Sequence, residues 1–311
     1  MSRSNHISAC ALLLSLCCCA SWAQEVEISS SPTPIGAGAR AAGMADAFVA
    51  VADDATAASW NPAGLVQLER PEISMVGEYA SLSERFSAND HDEFRVSNSS
   101  DNLDLNYLSI AYPLPFLVLG RNVCVSLNYQ RKYDFTRAFR LEYDQTQRVG
   151  SSIASTFLKM GFKQSGALGC ITPAFAFEVT KHLSLGASLN IWRSSFLCDN
   201  SWEQTTRSEM ESFFRGHPEY SFVDTFEQYS GFEGLNVTTG LLWNMTDKWN
   251  LGLRYDSAFT GNAKYGSIQT QRRLMNPLPI LTPFMVQEKR QVRFQASFAA
   301  GLAYRANDRL T

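Results

Sequence analysis

The sequence predicts an all-β fold, a transmembrane antiparallel β-barrel with a small-residue helical plug at its N-terminal end. Three observations support this prediction: an apolar run confined to the start of the chain, an Ala- and Gly-rich segment over residues 35–68, and apolar residues at every second position from about Glu72 onward. Such alternation gives each strand one apolar and one polar face, as in a wall between lipid and a wet interior.

The composition excludes several classes of protein. With 27 Lys and Arg against 30 Asp and Glu, the formal net charge is -3, which excludes a nucleic-acid binder held by a basic surface. A hydrophobic fraction of 45% excludes a disordered chain. The mean hydropathy of -0.16 excludes a bundle of membrane helices. The cysteines of the expected mature chain, Cys124, Cys170 and Cys198, are too scattered for a disulfide scaffold or a zinc site, so we expect no metal and no cofactor.

Residues 1–23 are predicted to form a cleaved signal peptide. Arg3 supplies the basic region, residues 9–20 (ACALLLSLCCCA) supply the apolar region, and small residues precede the cleavage site. A lipoprotein signal ending at Cys17 is the alternative, but the bulky Leu16 stands where a small residue is expected. The protein is therefore expected to be exported.

Residues 24–68 are predicted to form a polar leader and a plug for the barrel lumen. Their central part, IGAGARAAGMADAFVAVADDATAASWNPAGL, is rich in Ala and Gly, which allow short helices and close backbone approach. Asp53 or Asp54 is placed to cap the second helix. Because Pro62 restricts the conformation of the residue before it, this helix is expected to end near Trp60.

Residues 69–311 are predicted to form the barrel wall. In residues 123–130, 183–192 and 292–305, apolar side chains alternate with polar or small ones, and short polar turns join such runs into hairpins. The first alternation continues in phase through Tyr133 and Phe135. Segments with weaker alternation are predicted to be long loops: 81–101, 144–167, 199–231 and 260–290.

A soluble β-sandwich or a lipocalin-like barrel would show the same alternation and is the alternative. The membrane barrel is favoured because the polar face recurs on many strands and because aromatic residues stand at predicted strand ends, as in an interfacial girdle. The residues of this predicted girdle are Tyr129, Tyr143, Trp192, Trp243, Trp249, Tyr255 and Tyr304.

The Ala- and Gly-rich segment also resembles a known family. The matching motifs are Gly-Ala-Arg-Ala (38–41), Gly43-Met44, Ala47-Phe48-Val49-Ala50, Ala52-Asp53-Asp54-Ala55 and Trp60-Asn61-Pro62-Ala63-Gly64-Leu65. In kind and order these residues are similar to the N-terminal region of the FadL-type family, outer-membrane transporters of long-chain fatty acids or aromatic hydrocarbons.

The resemblance implies a fourteen-strand barrel in the bacterial outer membrane, plugged by its N-terminal residues. Hydrophobic small molecules would bind from outside and leave sideways through a gap in the wall into the membrane lipid, without a cofactor or a chemical step. The Asn61-Pro62-Ala63 stretch would belong to the plug near that gap. A related branch of the family acts as a barrel partner in protein secretion and surface attachment, and the same motifs fit this alternative.

The number of strands departs from the family pattern. The alternation from Glu72 onward gives about nine or ten candidate strands, and the sequence stops at Thr311, one turn into a hairpin. An open sheet edge in lipid would leave backbone groups unsatisfied, so either the sequence is a fragment of a longer barrel or the barrel is smaller than the family's. We favour the fragment and expect the barrel to be incomplete at its C-terminal end.

Two groups of residues are candidates for function. The predicted plug and gate residues are Gly36, Gly38, Arg40, Gly43, Asp53, Asp54, Trp60, Asn61, Pro62, Ala63 and Gly64. The predicted loops offer apolar side chains for a lipid-like ligand, with packing of each loop on itself as the alternative. These candidates are Phe213, Phe214, Phe222, Phe226, Leu278, Ile280 and Phe284.

Catalysis is disfavoured by the sequence. Asp53 and Asp54 fit a helix cap better than an acid–base pair. Nothing around any serine marks a nucleophile that would act with His91, His182 or His217 as in a lipase. We therefore expect no enzyme activity and no catalytic residues.

Overall fold

The structure, a computed structural model, describes residues 33–88, 91–149, 152–214, 217–275 and 278–306. Its helices are α1 (Ala39–Gly43), α2 (Ala57–Trp60) and a 3₁₀ helix (Pro62–Gln67). Its strands are β1 (Thr33–Pro34), β2 (Glu72–Ala88), β3 (His91–Pro113), β4 (Val123–Asp134), β5 (Arg137–Val149), β6 (Ser152–Thr180), β7 (Leu183–Trp192), β8 (Ser201–Phe214), β9 (His217–Asn244), β10 (Trp249–Asp256), β11 (Phe259–Met275), β12 (Leu278–Phe294) and β13 (Ser297–Tyr304). The predicted signal peptide, residues 1–23, and Thr311 lie outside the described residues.

The long strands form one antiparallel sheet in which neighbours in the chain pair with each other. Short breaks divide four wall strands into two parts: β4 and β5, β7 and β8, β10 and β11, β12 and β13. With each divided strand counted once, the described part of the chain provides eight wall positions, whereas the resemblance implies fourteen. The predicted all-β antiparallel architecture with a small helical N-terminal segment is confirmed.

The alternation of the sequence separates an outer face from an inner face. On β7, Leu185 and Leu189 are exposed on the outer face, whereas Ser188 and Asn190 are buried on the inner face. An apolar outer face and a polar inner face are the arrangement of a barrel wall in lipid. The outer face continues on the other strands through Ile73, Met75, Leu103, Ile110, Val125, Leu127, Phe175, Leu235, Val237, Phe298 and Leu302.

Part of the predicted aromatic girdle is wrong. Trp192 is 2% exposed and Tyr129 is 4% exposed, so neither ring faces lipid. The Trp192 indole N–H donates to the Asn236 Oδ1 at 2.8 Å, and the Tyr129 hydroxyl donates to the Leu197 carbonyl at 3.2 Å. The girdle residues that are exposed are Trp243, Trp249, Tyr255 and Tyr304.

A register shift in β4 places side chains inside that the alternation predicted outside. The pairing of β4 with β6 slips between Arg131 and Tyr133, so one β4 residue has no partner there. A bulge of this kind changes the direction of the side chains that follow it. Tyr133 and Phe135 therefore belong to a buried aromatic cluster and do not share the outer face of Leu127.

The break between β12 and β13 has the same effect. The sequence pattern placed Phe294 and Phe298 on one face, but Phe294 is 3% exposed and Phe298 is 64% exposed. Because regular pairing stops over residues 295–296, the strict period of two is lost at this point.

The four predicted loops are in fact parts of long β-hairpins. Residues 81–101 extend β2 and β3, 144–167 extend β5 and β6, 199–231 extend β8 and β9, and 260–290 extend β11 and β12. Both faces are polar in much of this region, as in Glu203-Gln204-Thr205 of β8. Where no lipid contacts the sheet, nothing enforces the alternation on which the strand prediction relied.

The N-terminal segment packs against the inner face of the wall through small side chains. Its Ala52 and Leu65 are buried in one cluster with Ala111 of β3, Cys124 of β4 and Ala176 of β6. Within the described residues, no helix has the length and apolar character to cross a bilayer.

Candidate functional site

Asn61 connects the N-terminal segment to the wall. Its side chain is completely buried, and its Nδ2 donates to the Val49 carbonyl at 2.9 Å and to the Leu241 carbonyl of β9 at 3.0 Å. Its Oδ1 accepts from the Ala63 N–H at 3.2 Å, at the start of the 3₁₀ helix. As predicted, α2 ends at Trp60 and Asn61 is extended, because Pro62 follows it.

Wall glycines make room for this segment. A Cβ at Gly186 of β7 would collide with the backbone of Pro62 and Ala63, and a Cβ at Gly240 of β9 would collide with the Asn61 side chain. Within the N-terminal segment, a Cβ at Gly64 would likewise collide with the Ala52 carbonyl oxygen. The Asn-Pro-Ala-Gly motif therefore packs directly against the backbone of two adjacent strands, β7 and β9, with no side chain of these glycines between them.

The other predicted plug residues support the fold of the segment itself. Trp60 donates its indole N–H to the Ala37 carbonyl at 2.6 Å, and Gly36 packs against its ring. Gly38 precedes α1 with a φ of 96°, a conformation that favours glycine. Gly43 ends α1, and its Cα faces open space.

The paired carboxylates have structural partners. Asp53 forms an ion pair with Arg40 of α1, and this hydrogen bond raises the pKa of the guanidinium. Asp54 accepts from the Thr56 N–H at 2.8 Å and from the Thr56 hydroxyl at 2.6 Å, just before α2. The predicted capping role is therefore wrong in detail: Thr56 precedes α2, no side chain caps the helix, and Asp54 instead stabilises the turn before it. Asp53 joins α1 to this turn.

The wall has a gap between β3 and the divided strand β4–β5. Residues 107–113 of β3 pair with β4, and residues 95–97 pair with β5. Between these two ladders, residues 98–106 of β3 have no described pairing on this side, although their pairing with β2 continues. The break between β4 and β5 lies opposite this stretch.

A cavity of about 520 Å³ lies inside the gap, between the wall and the N-terminal segment. We call it the gap cavity. Its apolar lining includes Ile35, Ala39 and Val76, and its charged side chains are Asp46, Glu78, Asp104, Arg131 and Asp134.

A second buried cluster consists mostly of aromatic rings. Phe135 stacks on Trp202 with ring centroids 4.7 Å apart, and Trp202 stacks on Tyr229 at 4.4 Å. A second row joins Trp192 to Phe259 at 5.3 Å and continues to Phe294, with Tyr133 stacked beside it. These rings come from strands on both sides of the strand breaks.

The second row lines a cavity of about 330 Å³, which we call the aromatic cavity. Lys132, Arg254 and Asp256 from the wall and Asp46 from the N-terminal segment also line it. Asp256 pairs with Arg254 at 2.9 Å. The Lys132 Nζ donates to the Asn190 Oδ1 at 3.2 Å, and no described carboxylate forms an ion pair with it.

The apolar residues predicted in loops lie in strands, and those whose side chains are described do not line either cavity. Phe213 of β8 is half exposed, and Phe222 of β9 lies beneath the guanidinium groups of Arg207 and Arg272. Phe226 is half-buried on β9. The side chains of Phe214, Leu278, Ile280 and Phe284 lie outside the described residues.

Sequence reasoning missed the residues that line the two cavities from the wall. The available signal was the pair Arg131-Lys132, which interrupts the apolar alternation of β4. Because successive side chains of a strand point to opposite faces, Arg131 lines the gap cavity and Lys132 lines the aromatic cavity. Trp192 and Phe294 were assigned to the wrong face.

The described residues offer little for catalysis. They contain no cluster of His, Cys, Asp and Glu that would hold a metal ion. His182 lies exposed in the turn between β6 and β7, as predicted, and the side chains of His91 and His217 lie outside the described residues.

A sequence model of one protein family matches residues 33–274, more than half of the chain. The family is described as outer membrane protein transport protein (OMPP1/FadL/TodX). No curated protein matches the chain.

Proposed function

Since the chain belongs to the OMPP1/FadL/TodX family of outer-membrane transport proteins, we propose that it carries long-chain fatty acids passively from outside the cell to the outer-membrane lipid. Transport of hydrophobic compounds across the bacterial outer membrane is the family's function. Long-chain fatty acids are one class of hydrophobic compound, and aromatic hydrocarbons are the alternative cargo.

The gap between β3 and β4–β5 is the observation that carries the proposed route. A cavity adjoins it on the inside, and Leu103, Ile110 and Leu127 are exposed on the outer face around and below it. A hydrophobic molecule that leaves there enters lipid directly, so its apolar surface stays out of water. Residues 24–68 act as the plug that separates this route from the periplasm, and residues 69–311 form the wall.

Lys132 supports a fatty acid over a hydrocarbon. Its ammonium group lines the aromatic cavity without an ion-pairing carboxylate among the described residues. A carboxylate headgroup there would form a charge-assisted hydrogen bond with Lys132 while its chain lies against the rings. A neutral hydrocarbon gains nothing from this cation.

The test compares the uptake of labelled oleate and labelled toluene in a strain that lacks the gene and is complemented with the protein or a variant. We expect the protein to restore oleate uptake and Lys132→Met to reduce it by about tenfold, because one hydrogen bond to a charged group is lost. Toluene uptake is expected to change little. Lys163→Met, which removes an exposed lysine of β6, serves as the control.

Three other outcomes would point to a different cargo or role. Oleate uptake no faster than in the deletion strain would contradict fatty-acid transport. Equal loss of oleate and toluene uptake in Lys132→Met would contradict the headgroup argument and mean that Lys132 supports the structure of the cavity, for example through its bond to Asn190. A stable complex with a secreted protein and no bound lipid would support the secretion branch of the family.

A further inference from the structure

We propose that Arg131 is a latch that holds the gap between β3 and β4 closed, and that it sets how readily the gap widens. The latch replaces, with side chains, the backbone pairing that residues 98–106 of β3 lack. Its effect on transport rests on the proposed function, whereas its effect on the width of the gap does not.

The described contacts across the gap come from five side chains, of which Thr136 only accepts a long hydrogen bond, at 3.4 Å, from the Asn102 Nδ2. The Arg131 guanidinium of β4 forms an ion pair with Asp104 of β3 and another, at 2.6 Å, with Asp134 near the end of β4. From β3, the Asn102 Nδ2 donates to the Asp134 Oδ2 at 2.8 Å. Arg131 and Asp134 thus tie β4 to two residues of the unpaired stretch.

Arg131 lies immediately before the bulge in β4. It is the last residue of β4 in register with β6 before the shift, and it lines the gap cavity with only 9% of the residue exposed. Water screens a buried ion pair less than an exposed one, but burial also costs both ions their hydration. Loss of Arg131 is nevertheless costly, because it leaves its carboxylate partners without a cation in a partly buried site.

The charge balance of the gap cavity depends on this one residue. Among the described residues that line it, Arg131 is the cation, and the carboxylates of Asp46, Glu78, Asp104 and Asp134 surround it. Without Arg131, Asp104 and Asp134 would face each other across the gap as like charges. Their repulsion would favour separation of the strands.

The experiment measures the width of the gap without measuring transport. Ser100, which lines the gap cavity, is replaced by cysteine in protein whose Cys124, Cys170 and Cys198 are changed to alanine. The rate at which a water-soluble maleimide labels this cysteine is then followed in outer membranes. We expect Arg131→Gln to raise the rate by about tenfold, equivalent to about 1.4 kcal/mol, and Arg131→Lys to raise it less.

Arg207→Gln is the matched control. Arg207 of β8 pairs with Asp224 of β9 at 3.1 Å across two strands whose backbone ladder is complete. Loss of that pair is expected to leave the labelling rate unchanged. Asp104→Asn, a milder change on the opposite side of the gap, provides a second variant in case Arg131→Gln folds poorly.

A double-mutant cycle decides whether the pair acts directly. If Asp104 and Arg131 form the latch, the variant with both Asp104→Asn and Arg131→Gln is labelled more slowly than the product of the two single effects predicts. Unchanged labelling in both single variants, or strictly multiplicative effects, would overturn the latch. Faster labelling with unchanged oleate uptake would support the latch and contradict lateral exit as the route of transport.

Discussion

A single buried amide determines where the plug meets the wall. Asn61 uses both of its polar atoms, donating to carbonyls of the plug and of β9 and accepting from the 3₁₀ helix. Replacement by a residue with fewer polar atoms would leave buried backbone groups without partners, which is costly in a protein interior. Asn61 therefore has a structural role, because its hydrogen bonds join the N-terminal segment to β9. No reactive group is among its described contacts.

Gly186 tests how tightly the wall holds the plug. Gly186→Ala places a methyl group against the backbone of Pro62 and Ala63, so the plug or β7 must shift. We expect the free energy of unfolding to fall by about 1–3 kcal/mol, the usual cost of overpacking. Urea unfolding in detergent micelles measures it.

Gly161→Ala is the control for this substitution, because a Cβ at Gly161 of β6 meets no atom within 4 Å. We expect little change there. Equal stability of the two alanine variants would mean that the plug moves away from β7 at little cost.

At the scale of residues, local chemistry was predictable and distant contacts were not. The end of α2 at Trp60 follows from Pro62 alone, so the sequence suffices. The charged residues Arg131 and Lys132 mark a place in β4, but the pair of Asp104 with Arg131 depends on how β3 and β4 lie beside each other, which no local pattern gives. For that reason the sequence predicts the small-residue N-terminal segment, whereas the contacts across the gap and the aromatic cavity depend on the fold.

At the scale of strands, the environment of the sheet explains which elements the sequence predicts. The strands with an apolar outer face show the period of two because lipid contacts one face. The hairpin extensions beyond this band lose the period, and they were therefore mistaken for loops. The breaks between strand halves also shift the phase, as Phe294 and Phe298 illustrate.

A charge scan would locate the edge of the lipid band. Leu189 of β7 is exposed on the outer face of the well-alternating part, whereas Met210 of β8 lies in a hairpin extension. We expect Leu189→Arg to destabilise the protein in lipid bilayers by about 2–4 kcal/mol, the cost of arginine near the bilayer midplane. Met210→Arg is expected to cost less than about 1 kcal/mol.

Refolding titrations into vesicles measure both values. A cost for Met210→Arg as large as that for Leu189→Arg would place the hairpin extensions within the bilayer. The two arginine variants differ only in their height on adjoining halves of one divided strand, so each serves as the control for the other.

At the scale of the whole molecule, the plug and the latch lie in series along the proposed route. The aromatic cavity and the gap cavity share Ile35, Gly36 and Asp46 of the N-terminal segment as part of their lining. A molecule that passes from one cavity to the other therefore moves along these residues. Because Thr33 and Pro34 pair with β4 and the Ile35 N–H donates to the Lys132 carbonyl at 2.9 Å, passage requires either that this part of the segment shifts or that the gap beside it widens.

A disulfide between plug and wall distinguishes these two possibilities. A Cβ at Gly301 of β13 would lie 3.4 Å from the Cβ of Ala50, close to the separation of about 3.8 Å in disulfides. We expect oxidised Ala50→Cys/Gly301→Cys to slow oleate uptake at least about tenfold if the segment must shift, since the bond holds it to the wall. A reductant is expected to restore uptake. The control, Leu253→Cys/Ala300→Cys, links facing residues of β10 and β13 without touching the plug, and should leave uptake unchanged. Undiminished uptake with the plug disulfide formed would mean that the segment stays in place and that only the gap must widen, which would make Arg131 the principal barrier to release.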